Sequence, residues 1–222
     1  MSKQIGIPRP SLRRLSLYYR RLLRAIDEGV TVIRSEELGY SADVPGAQVR
    51  KDLSYIDEYG RPGRGYDVKS LAGHIEKFLG LVNDKEAVIV GAGNLGRALA
   101  HYPGFARYGL RIVALFDKDP TRVGEQVGEY EVLPMGKLTG LVKRLHIRIG
   151  IITMPADAAQ DAADALLAGG IHVIWNFAPR KLEVPDDVLI KNEDLAAELA
   201  TLSHHISLHS VAQWDPGNDI SS

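Results

Sequence analysis

Residues 87–96 are Ala-Val-Ile-Val-Gly-Ala-Gly-Asn-Leu-Gly, and they are the most informative segment of the chain about its fold. Its apolar start predicts a short buried strand, and glycines 91, 93 and 96 follow in the GxGxxG spacing. In this spacing the first glycine permits a tight turn, the second lets the backbone approach a pyrophosphate, and the third lets helix and strand pack closely. The helix expected over residues 94–108 would direct its N-terminal N–H groups at the phosphates. Strand, glycine turn and helix together predict a nucleotide-binding, Rossmann-type unit.

The second predicted strand supplies the acidic residue that such a unit needs. It covers residues 111–116 and ends at Asp117, about 20 residues beyond the glycine turn, where a ribose-binding acid is expected. A carboxylate there accepts hydrogen bonds from the ribose 2′-hydroxyl and repels a 2′-phosphate. The sequence therefore favours NAD(H) over NADP(H) as the ligand.

Strands and helices continue to alternate toward the C-terminus. Further strands are predicted over residues 147–153, 171–177 and 188–190, with a helix over 156–168. This alternation predicts a mainly parallel sheet covered by helices. Two loops, Thr153-Met154-Pro155 and Asn176-Phe177-Ala178-Pro179, follow strands at the edge where open α/β sheets bind ligands. Taken separately, each loop is better explained by a proline that stops a strand.

The N-terminal part has a different pattern. Apolar residues at three- and four-residue steps predict an amphipathic helix that ends near Gly29: Leu12, Leu15, Tyr19, Leu22, Leu23 and Ile26. Ser35 is the expected N-cap of a short second helix, and turn residues 43–46 separate it from a third helix over residues 47–55. The third helix has an apolar inner face formed by Val49, Leu53 and Ile56. This is the layout of a helix-turn-helix, whose second helix lies in the major groove of DNA.

A glycine- and arginine-rich segment, residues 60–66, follows the third helix. It predicts a tight hairpin whose two arginines can reach phosphate or the minor groove, which makes the domain a winged helix. Residues 1–66 hold twelve Lys and Arg against eight Asp and Glu, whereas the remainder holds fifteen against twenty. The basic excess lies on the part of the chain that is expected to meet a polyanion. A small helical packing domain with a solvated charged face is the alternative interpretation.

The pattern divides the chain into successive parts. An apolar stripe from Val68 to Val82 predicts a helix between two domains, and polar residues 83–86 mark the boundary. A final helix carries an apolar stripe that packs on a partner subunit or on its own domain: Leu195, Leu199, Leu202, Ile206 and Leu208. We predict a winged-helix DNA-binding domain over residues 1–84, a Rossmann NAD(H)-binding domain over 85–192, this helix over 193–210 and a disordered tail over 211–222.

Composition narrows the possible functions. The chain has no cysteine, which excludes disulfides, zinc–thiolate sites and cysteine nucleophiles. Residues 1–10 are polar and basic and lack the apolar segment of a secretion signal, and no apolar run is long enough to cross a bilayer. A cytoplasmic protein without a membrane partner is expected.

Five strings of residues resemble the Rex family of redox-sensing repressors. They are Gln48-Val49-Arg50-Lys51-Asp52-Leu53-Ser54-Tyr55, the wing ending at Gly65-Tyr66, the turn from Gly91 to Gly96, Tyr102-Pro103-Gly104-Phe105 and Asn176-Phe177-Ala178-Pro179. The resemblance spans residues 10–208, and the first and fourth strings are more specific than the glycine turn, which many families share. The fold it implies is α/β: an N-terminal winged helix-turn-helix domain, a Rossmann-like parallel-sheet domain and a domain-swapped C-terminal helix.

The resemblance also implies roles for individual residues. It implies a homodimer whose exchanged C-terminal helices pack on the partner's DNA-binding domain, and it assigns Arg50 and Lys51 to the major groove. It places Tyr102 near the nicotinamide, with Asp194 of the partner subunit beside it. Arg20 matches the arginine that pairs with this acid in the DNA-binding form. Many members have phenylalanine after the acid, whereas this chain has Leu195, which removes the basis for a tight aromatic contact.

Two sets of site residues are predicted from these patterns and from the resemblance. DNA contacts are expected from Ser11, Gln48, Arg50, Lys51, Ser54, Arg61, Arg64 and Tyr66. Cofactor contacts are expected from Gly91, Ala92, Gly93, Asn94, Leu95, Gly96, Tyr102, Asp117, Lys118, Thr153, Pro155, Asn176, Phe177, Ala178, Pro179, Asp194 and Leu195. Arg20 and Asp194 form the expected switch, and no catalytic or metal-binding residue is predicted.

The predicted function is repression of transcription under the control of the NADH/NAD⁺ ratio. The protein is expected to bind palindromic double-stranded operator DNA when NADH is scarce and to leave it when NADH binds. One alternative is an NAD-dependent oxidoreductase, with His101 or Tyr102 as the best candidate acid, although the residues before Lys85 leave little room for a substrate domain. The other alternative is a CoA- or nucleotide-binding interaction module without a DNA partner.

Overall fold

The computed structural model describes residues 7–61, 63–82, 85–194, 196–197, 199–200, 202–203 and 206. The chain forms two compact units, Met1–Asn83 and Asp84–Ser222. Each unit has its own buried apolar core. Among the described helices, none is both long enough and apolar enough to span a membrane.

The first unit combines helices with a small two-stranded sheet. Helix α1 spans Arg9–Asp27, α2 Ser35–Tyr40, α3 Gly46–Ser54 and α4 Val68–Phe78, and strands β1 and β2 span Val32–Ile33 and Tyr66–Asp67. The two strands pair antiparallel, with Ile33 opposite Tyr66. This order confirms the predicted winged helix-turn-helix, in which α2 and α3 form the helix-turn-helix and the chain between α3 and β2 forms the wing.

Helix α1 supplies much of the core of this unit. Its buried residues are Ser11, Leu15, Tyr18, Tyr19, Leu22 and Ala25. The predicted stripe was wrong at Leu12, which is 38% exposed, and it omitted Tyr18 and Ala25, which are fully buried. Tyr18 is buried because its hydroxyl group has a partner on α3, and a hydrophobic pattern does not reveal such a partner.

Helix α2 begins differently from the prediction. Ser35 is its first residue rather than its N-cap, and Arg34 takes the N-cap position. The backbone N–H of Arg34 donates to the Glu37 carboxylate at 3.1 Å, which satisfies a donor that the helix leaves free. The Ser35 hydroxyl is therefore available for a contact with α3, which is described below.

The wing has a packed base and an open tip. A Cβ on Gly65 would lie 2.4 Å from the carbonyl oxygen of Ile33, and one on Gly60 would lie 2.8 Å from the ring of Tyr66. Arg61 and Gly65 form an antiparallel bridge between these two contacts. At the tip, Gly63 has no neighbouring atom within 4 Å of a Cβ position.

Helix α4 is shorter than the predicted stripe. It begins after Asp67, whose carboxylate accepts a hydrogen bond from the Ser70 N–H at 2.8 Å, and it ends at Phe78. Phe78 and Val82, which belong to the predicted stripe, are 42% and 62% exposed. The apolar residues that the helix buries in its own unit are Val68, Leu71, Ala72 and Ile75.

The second unit is built around a seven-stranded sheet. Its strands are β3 Lys85–Val90, β4 Leu110–Asp117, β5 Gln126–Val127, β6 Tyr130–Pro134, β7 Ile149–Ile152, β8 Val173–Asn176 and β9 Leu189–Asn192. Before residue 193, its helices are α5 Asn94–Ala100, α6 Gly104–Arg107, α7 Leu138–Leu145 and α8 Ala159–Ala168, with a 3₁₀ turn at Met135–Lys137. The strand order is β5-β6-β4-β3-β7-β8-β9, and β5 pairs antiparallel with β6 whereas the other pairs are parallel. The predicted mainly parallel, Rossmann-like sheet is confirmed.

Two stretches of this unit differ from the prediction. The single helix expected over residues 94–108 is divided into α5 and α6. The break lies at Tyr102-Pro103, because proline lacks an N–H donor and disfavours the helical conformation of the preceding residue. Residues 118–146, for which the pattern predicts no element, contain β5, β6 and α7.

Strand β3 lies in the middle of the sheet between β4 and β7. Val88 and Val90 belong to the core on one face, and Ala87 and Ile89 to the core on the other. Because both faces are covered, the strand is apolar throughout and needs no alternation of polar residues. Its end delivers the glycine turn to the carboxyl edge of the sheet.

The predicted last helix is described only in part. Residues 196–197, 199–200, 202–203 and 206 are helical, whereas Leu195, Leu208 and the tail 211–222 lie outside the described residues. Leu199, Leu202 and Ile206 are each more than half exposed. This confirms the apolar stripe at these three positions and shows that it lies at the surface of the single chain.

Candidate functional site

A buried acid ties the second helix of the helix-turn-helix to α1. The two carboxylate oxygens of Asp52 accept hydrogen bonds from the Arg14 guanidinium at 2.6 and 2.7 Å. The Tyr18 hydroxyl and the Gln48 amide each donate to the same carboxylate at 2.9 Å. The Asp52 side chain is fully buried, whereas that of Arg14 is 19% exposed. Helix α3 is therefore fixed on α1 by a satisfied polar network as well as by apolar packing.

This network determines the charge of its members. Burial by itself would raise the pKa of Asp52, but the hydrogen bonds from Arg14, Gln48 and Tyr18 together hold that pKa below its usual value. Burial and the hydrogen bond to Asp52 raise the pKa of Tyr18. At neutral pH the acid is therefore ionised and the phenol is neutral.

Arg50 extends from α3 to a cleft between the helix-turn-helix and the wing. Its Nη1 donates to the Ser35 hydroxyl at 2.8 Å and to the Glu36 carboxylate at 3.4 Å. The Arg50 side chain remains 58% exposed. The cleft has a volume of about 660 Å³ and is lined on the wing side by Arg61 and Tyr66. A basic side chain thus stands, already oriented, on the outer surface of the second helix.

The predicted DNA contacts divide into exposed and buried side chains. Exposed side chains belong to Arg50, Lys51, Arg61 and Arg64, and Gln48 and Ser54 are half-buried. Ser11 and Tyr66 are only 3% and 7% exposed, so their assignment as direct contacts needs correction. The Ser11 hydroxyl accepts a hydrogen bond from Arg14 at 3.2 Å, and Tyr66 packs beneath the wing. Both residues support the exposed surface through contacts with Arg14 and with the base of the wing.

The glycine turn after β3 leaves no space for a side chain at two of its positions. Gly91 has a φ of 113°, and a Cβ there would lie 2.7 Å from the Thr153 carbonyl oxygen. A Cβ on Gly96 would lie 1.9 Å from the Gly91 carbonyl oxygen. At Gly93, by contrast, the nearest atom belongs to the Arg122 guanidinium, 3.5 Å away. The turn is closed at its two ends and open in the middle, as the approach of a pyrophosphate requires.

The other residues of the turn differ in exposure. Ala92 is buried, Leu95 is half-buried and Asn94, the first residue of α5, is exposed. The contribution of Ala92 is its backbone, whose N–H donates to the Asp117 carboxylate at 2.7 Å.

Asp117 braces the glycine turn from the end of β4. Besides the Ala92 N–H, its carboxylate accepts the Asp119 N–H at 2.9 Å and an ion pair from Arg122 at 3.2 Å. Its side chain is 4% exposed. Lys118 is exposed beside it and pairs with Asp157 at 3.6 Å. The acid lies where a ribose-binding carboxylate was predicted, and it also holds the turn in shape.

These residues line a cleft of about 390 Å³ at the carboxyl edge of the sheet. The Thr153-Met154-Pro155 loop forms its opposite wall. The Thr153 hydroxyl donates to the Gly91 carbonyl oxygen at 2.7 Å, which fixes this wall to the glycine turn. The cleft thus brings together the turn, the acid and the loop after β7. Arg122 completes it and was not predicted, because the sequence pattern assigns no element to its region.

The loop that begins at Asn176 lies outside the lining of this cleft. Asn176 is fully buried, and its amide donates to the Arg180 carbonyl oxygen at 2.9 Å and to the Asn192 side chain at 2.8 Å. Its own oxygen accepts the N–H of Ala178, which is also buried, at 3.0 Å. Asn176 therefore shapes the loop, and the residues that the loop exposes include Pro179.

A row of aromatic rings lies on the second unit. The ring centroids of Tyr102 and Phe105 are 5.1 Å apart, those of Phe105 and Trp175 5.8 Å, and those of Trp175 and Phe177 5.1 Å. Trp175 is oriented by a hydrogen bond from its Nε1 to Glu193 at 3.2 Å. The row ends at Tyr102, which is 55% exposed. An exposed aromatic ring supported by further rings is suited to contact with another flat ring.

His101, a candidate acid of the oxidoreductase alternative, contacts the backbone of its own helix. His101, one of the two candidate acids, is exposed, and its Nδ1 is 2.8 Å from the Arg97 carbonyl oxygen. In the part of the chain that the structure describes, no hydrogen bond or ion pair connects His101 to a carboxylate that would orient it. The same residues contain no group of His, Cys, Asp and Glu side chains that could hold a metal ion.

The predicted switch residues lie in different units. Arg20 is exposed on α1. Asp194 is also exposed, and its carboxylate accepts the backbone N–H groups of Ala196 and Ala197, each at 3.0 Å. Asp194 therefore caps the helical residues that follow it.

Both units match known proteins. The family described as "Putative DNA-binding protein N-terminus" matches residues 6–54, and the family described as "CoA binding domain" matches residues 82–180. The "Redox-sensing transcriptional repressor Rex" of Carboxydothermus hydrogenoformans is 45% identical over 204 residues, which cover 92% of this chain and 98% of the relative. The protein of the same name from Chloroflexus aurantiacus is 41% identical, with 88% of this chain and 92% of the relative covered.

Solved structures of the protein RSP have a similar fold. RSP in complex with beta-NAD⁺ and operator DNA matches with a TM-score of 0.84 and 36% identity, over 95% of this chain and 97% of that one. RSP in complex with beta-NADH matches with a TM-score of 0.81 and 35% identity, over 94% of this chain and 98% of that one. RSP is described as a Rex-family repressor.

Proposed function

This chain belongs to the Rex family of redox-sensing transcriptional repressors, and we infer that it binds operator DNA when NADH is scarce and releases it when NADH accumulates. It is a DNA-binding protein that senses NADH, and it is not an enzyme. One observation carries the inference: this chain shares the fold of RSP, whose structures contain NADH, or NAD⁺ with operator DNA, at 35% and 36% identity over 94% and 95% of this chain. Two features of the chain support it: the basic outer face of α3 with the wing, and the cleft at the glycine turn.

The DNA surface has the side chains that this function requires. Exposed Arg50 and Lys51 on α3 can donate to the acceptors that guanine presents in the major groove. Arg61 and Arg64 on the wing are exposed and suited to phosphate or the minor groove. A dimer that presents two such surfaces would read an inverted repeat, because its two-fold symmetry matches that of a palindrome.

The second unit fits a dinucleotide by shape and by charge. The turn is open at Gly93, while Gly91 and Gly96 permit the close packing behind it. Asp117 supports the choice of NAD(H), and exposed Tyr102 is the proposed neighbour of the nicotinamide. The cofactor supplies a nicotinamide ring whose charge and shape change on reduction, and the chain supplies the groups that sense this change. Leu195, the predicted neighbour of Asp194, lies outside the described residues and stays a prediction.

The dimer is proposed to form through the C-terminal helix. Leu199, Leu202 and Ile206 expose an apolar stripe that a partner subunit would cover. An exchange of helices would bring Asp194 of the partner subunit to Tyr102 or to Arg20 in alternate states, which would connect the cofactor to the DNA-binding domains. Because the protein acts on genomic DNA and on the NADH pool, we propose the cytoplasm as its location.

Thermodynamic linkage sets the requirement for the switch. NADH must bind the released arrangement of the dimer more tightly than the DNA-bound arrangement, since equal affinity for both shifts nothing. Operator DNA must then weaken NADH binding by the same factor. NAD⁺, which leaves the DNA-bound state populated, should show little of this coupling.

Fluorescence anisotropy of a labelled palindromic duplex with an AT-rich inverted repeat tests this proposal. The protein–DNA complex is titrated with NADH and, separately, with NAD⁺ and with CoA. Release by NADH at concentrations where NAD⁺ and CoA have no effect is the expected result. DNA binding that ignores all three ligands would contradict cofactor sensing. Absence of binding to any duplex at low salt would contradict the repressor function, and NADH oxidation with a small carbonyl substrate would favour the enzyme.

A further inference from the structure

Glu36 is an acidic side chain on a surface that is expected to meet a polyanion. Its side chain is 68% exposed, yet its carboxylate lies over the first residue of α3. A Cβ on Gly46 would be 2.5 Å from Glu36 Oε1, so the absence of a side chain at Gly46 creates the space for this carboxylate. Its own backbone N–H, and then the Ser35 and Arg50 side chains, hold the pKa of Glu36 below its usual value. The acid is therefore charged where DNA is expected to approach.

The partner of this carboxylate is Arg50. Both the Ser35 hydroxyl and the Glu36 carboxylate are contacted by the same nitrogen, Nη1, at 2.8 and 3.4 Å. A guanidinium has further N–H donors on its other nitrogens, arranged as a planar fork. The contact with α2 therefore orients Arg50 through Nη1 and leaves the N–H groups of its other two nitrogens available to a base edge.

The acceptors that DNA offers to Arg50 differ in charge. A guanine edge presents neutral oxygen and nitrogen acceptors, whereas a backbone phosphate carries a full negative charge. A phosphate that approaches Arg50 also approaches the Glu36 carboxylate and is repelled by it. A guanine edge meets little of this repulsion.

We propose that Glu36 is a positioning and specificity-determining residue that presents Arg50 to a base edge and opposes its capture by a phosphate. This inference rests on the proposed DNA-binding function. It predicts that Glu36 weakens binding to arbitrary DNA more than binding to the operator, so that the ratio of the two affinities is larger with Glu36 than without it.

The test compares two duplexes by fluorescence anisotropy with the full-length protein. One duplex carries the inverted repeat that the wild-type protein enriches from a randomised library, and the other is a scrambled sequence of the same composition. Glu36→Gln is expected to tighten binding to the scrambled duplex roughly two- to fivefold, the range for one exposed ion pair, and to change operator affinity less than that. The affinity ratio therefore falls.

Asp57→Asn is the matched control, since it removes the same charge from an exposed residue of the same unit. Asp57 has a φ of 57°, a conformation that asparagine also tolerates. This variant should change both affinities equally and leave their ratio unchanged. Far-UV circular dichroism verifies that both variants are folded.

A double-mutant cycle with Arg50→Ala separates positioning from general charge. If Glu36 acts through Arg50, Glu36→Gln in the Arg50→Ala background leaves the affinity ratio unchanged. The inference is overturned if Glu36→Gln leaves the affinity ratio of the otherwise wild-type protein unchanged. It is also overturned if Asp57→Asn lowers the ratio as much as Glu36→Gln does, or if Glu36→Gln lowers the ratio equally in the Arg50→Ala background. If the wild-type protein binds both duplexes equally, the proposed DNA-binding function is overturned as well. If the wild-type protein prefers the operator, an unchanged ratio in Glu36→Gln overturns only the role of Glu36.

Discussion

Replacing Asp52 by asparagine removes the charge at the centre of the network between α1 and α3 and keeps the size of the side chain. The wild-type carboxylate accepts hydrogen bonds from Arg14, Tyr18 and Gln48. Asparagine has one acceptor oxygen, and its amide N–H groups would face donors. Removing one partner of a buried ion pair costs about 3–5 kcal/mol, so the first unit should lose roughly that much folding free energy.

The distribution of tryptophan provides the assay. In a Trp214→Phe background the remaining tryptophan is Trp175 on β8 of the second unit, and the sequence of the first unit contains no tryptophan. In a urea titration, tryptophan fluorescence therefore follows the second unit, whereas far-UV circular dichroism follows both. With a slope of about 1.5 kcal/mol per molar urea, the midpoint of the first unit should fall by roughly 2–3 M. The midpoint seen by tryptophan should not move.

The pH dependence gives this prediction a second signature. The folded-state pKa of Asp52 lies below its ordinary value, so its stabilisation is fully present above about pH 4 and is lost as the pH falls through the folded pKa. Asp52→Asn should lack this component of acid destabilisation. Gln48→Ala, which removes one half-buried donor and leaves the ion pair, is the control and should cost about 1 kcal/mol. An Asp52→Asn shift below about 0.5 M urea, or an equal fall in the tryptophan midpoint, would show that the Asp52 network does not stabilise the first unit.

Three further predictions concern the cofactor. Gly96→Ala should abolish NADH binding, because the alanine Cβ would lie 1.9 Å from the Gly91 carbonyl oxygen. The fluorescence of bound NADH measures this. Gly140→Ala is the control and should retain binding, since no neighbouring atom lies within 4 Å of its Cβ position. Asp117→Ala should weaken NADH binding about tenfold or more in calorimetry, because the Ala92 N–H loses its hydrogen-bond acceptor and the site loses a charged acceptor. The variant should also show a smaller preference for NADH over NADPH. An unchanged preference would contradict the ribose role of Asp117. Leu195→Phe should lower the NADH concentration that releases half of the operator more than it lowers the corresponding NAD⁺ concentration. An unchanged ratio of the two concentrations would show that residue 195 does not set the preference for NADH over NAD⁺.

Local chemistry explains which parts of the fold could be predicted. The glycine turn is recognisable because Gly91 needs a positive φ and Gly96 a close backbone contact, and few other sequences satisfy both. The helix-turn-helix is recognisable because Val49 and Leu53 keep helical spacing on α3. Strands β5 and β6 span only Gln126–Val127 and Tyr130–Pro134, too short for a period to be evident, and their place depends on pairing within the sheet.

The site predictions were limited by polar partners that are distant in sequence. Asp117 was found because its distance from the glycine turn is characteristic, but its bonds with the Ala92 N–H and Arg122 depend on the folded unit. Ser11 and Tyr66 are polar enough to suggest surface contacts, yet their neighbours bury them. The side chain of Asn176 likewise bonds to its own loop at Arg180 and to Asn192 at the end of β9. In each case the residue type is informative, and its hydrogen-bond partners decide its role.

The unequal packing of the wing affects how this repressor can evolve. Gly65 and Tyr66 hold the base of the wing against Ile33 and Gly60, whereas Arg61 and Arg64 are exposed. Exchanges at these two arginines should cost little folding free energy, because surface substitutions usually change it by less than about 0.5 kcal/mol. Gln48 on α3 differs, because its amide also donates to Asp52, and its exchange would weaken the network between α1 and α3. Lineages can therefore retune the flanks of their operators through the wing and recruit new target genes at little cost in folding free energy.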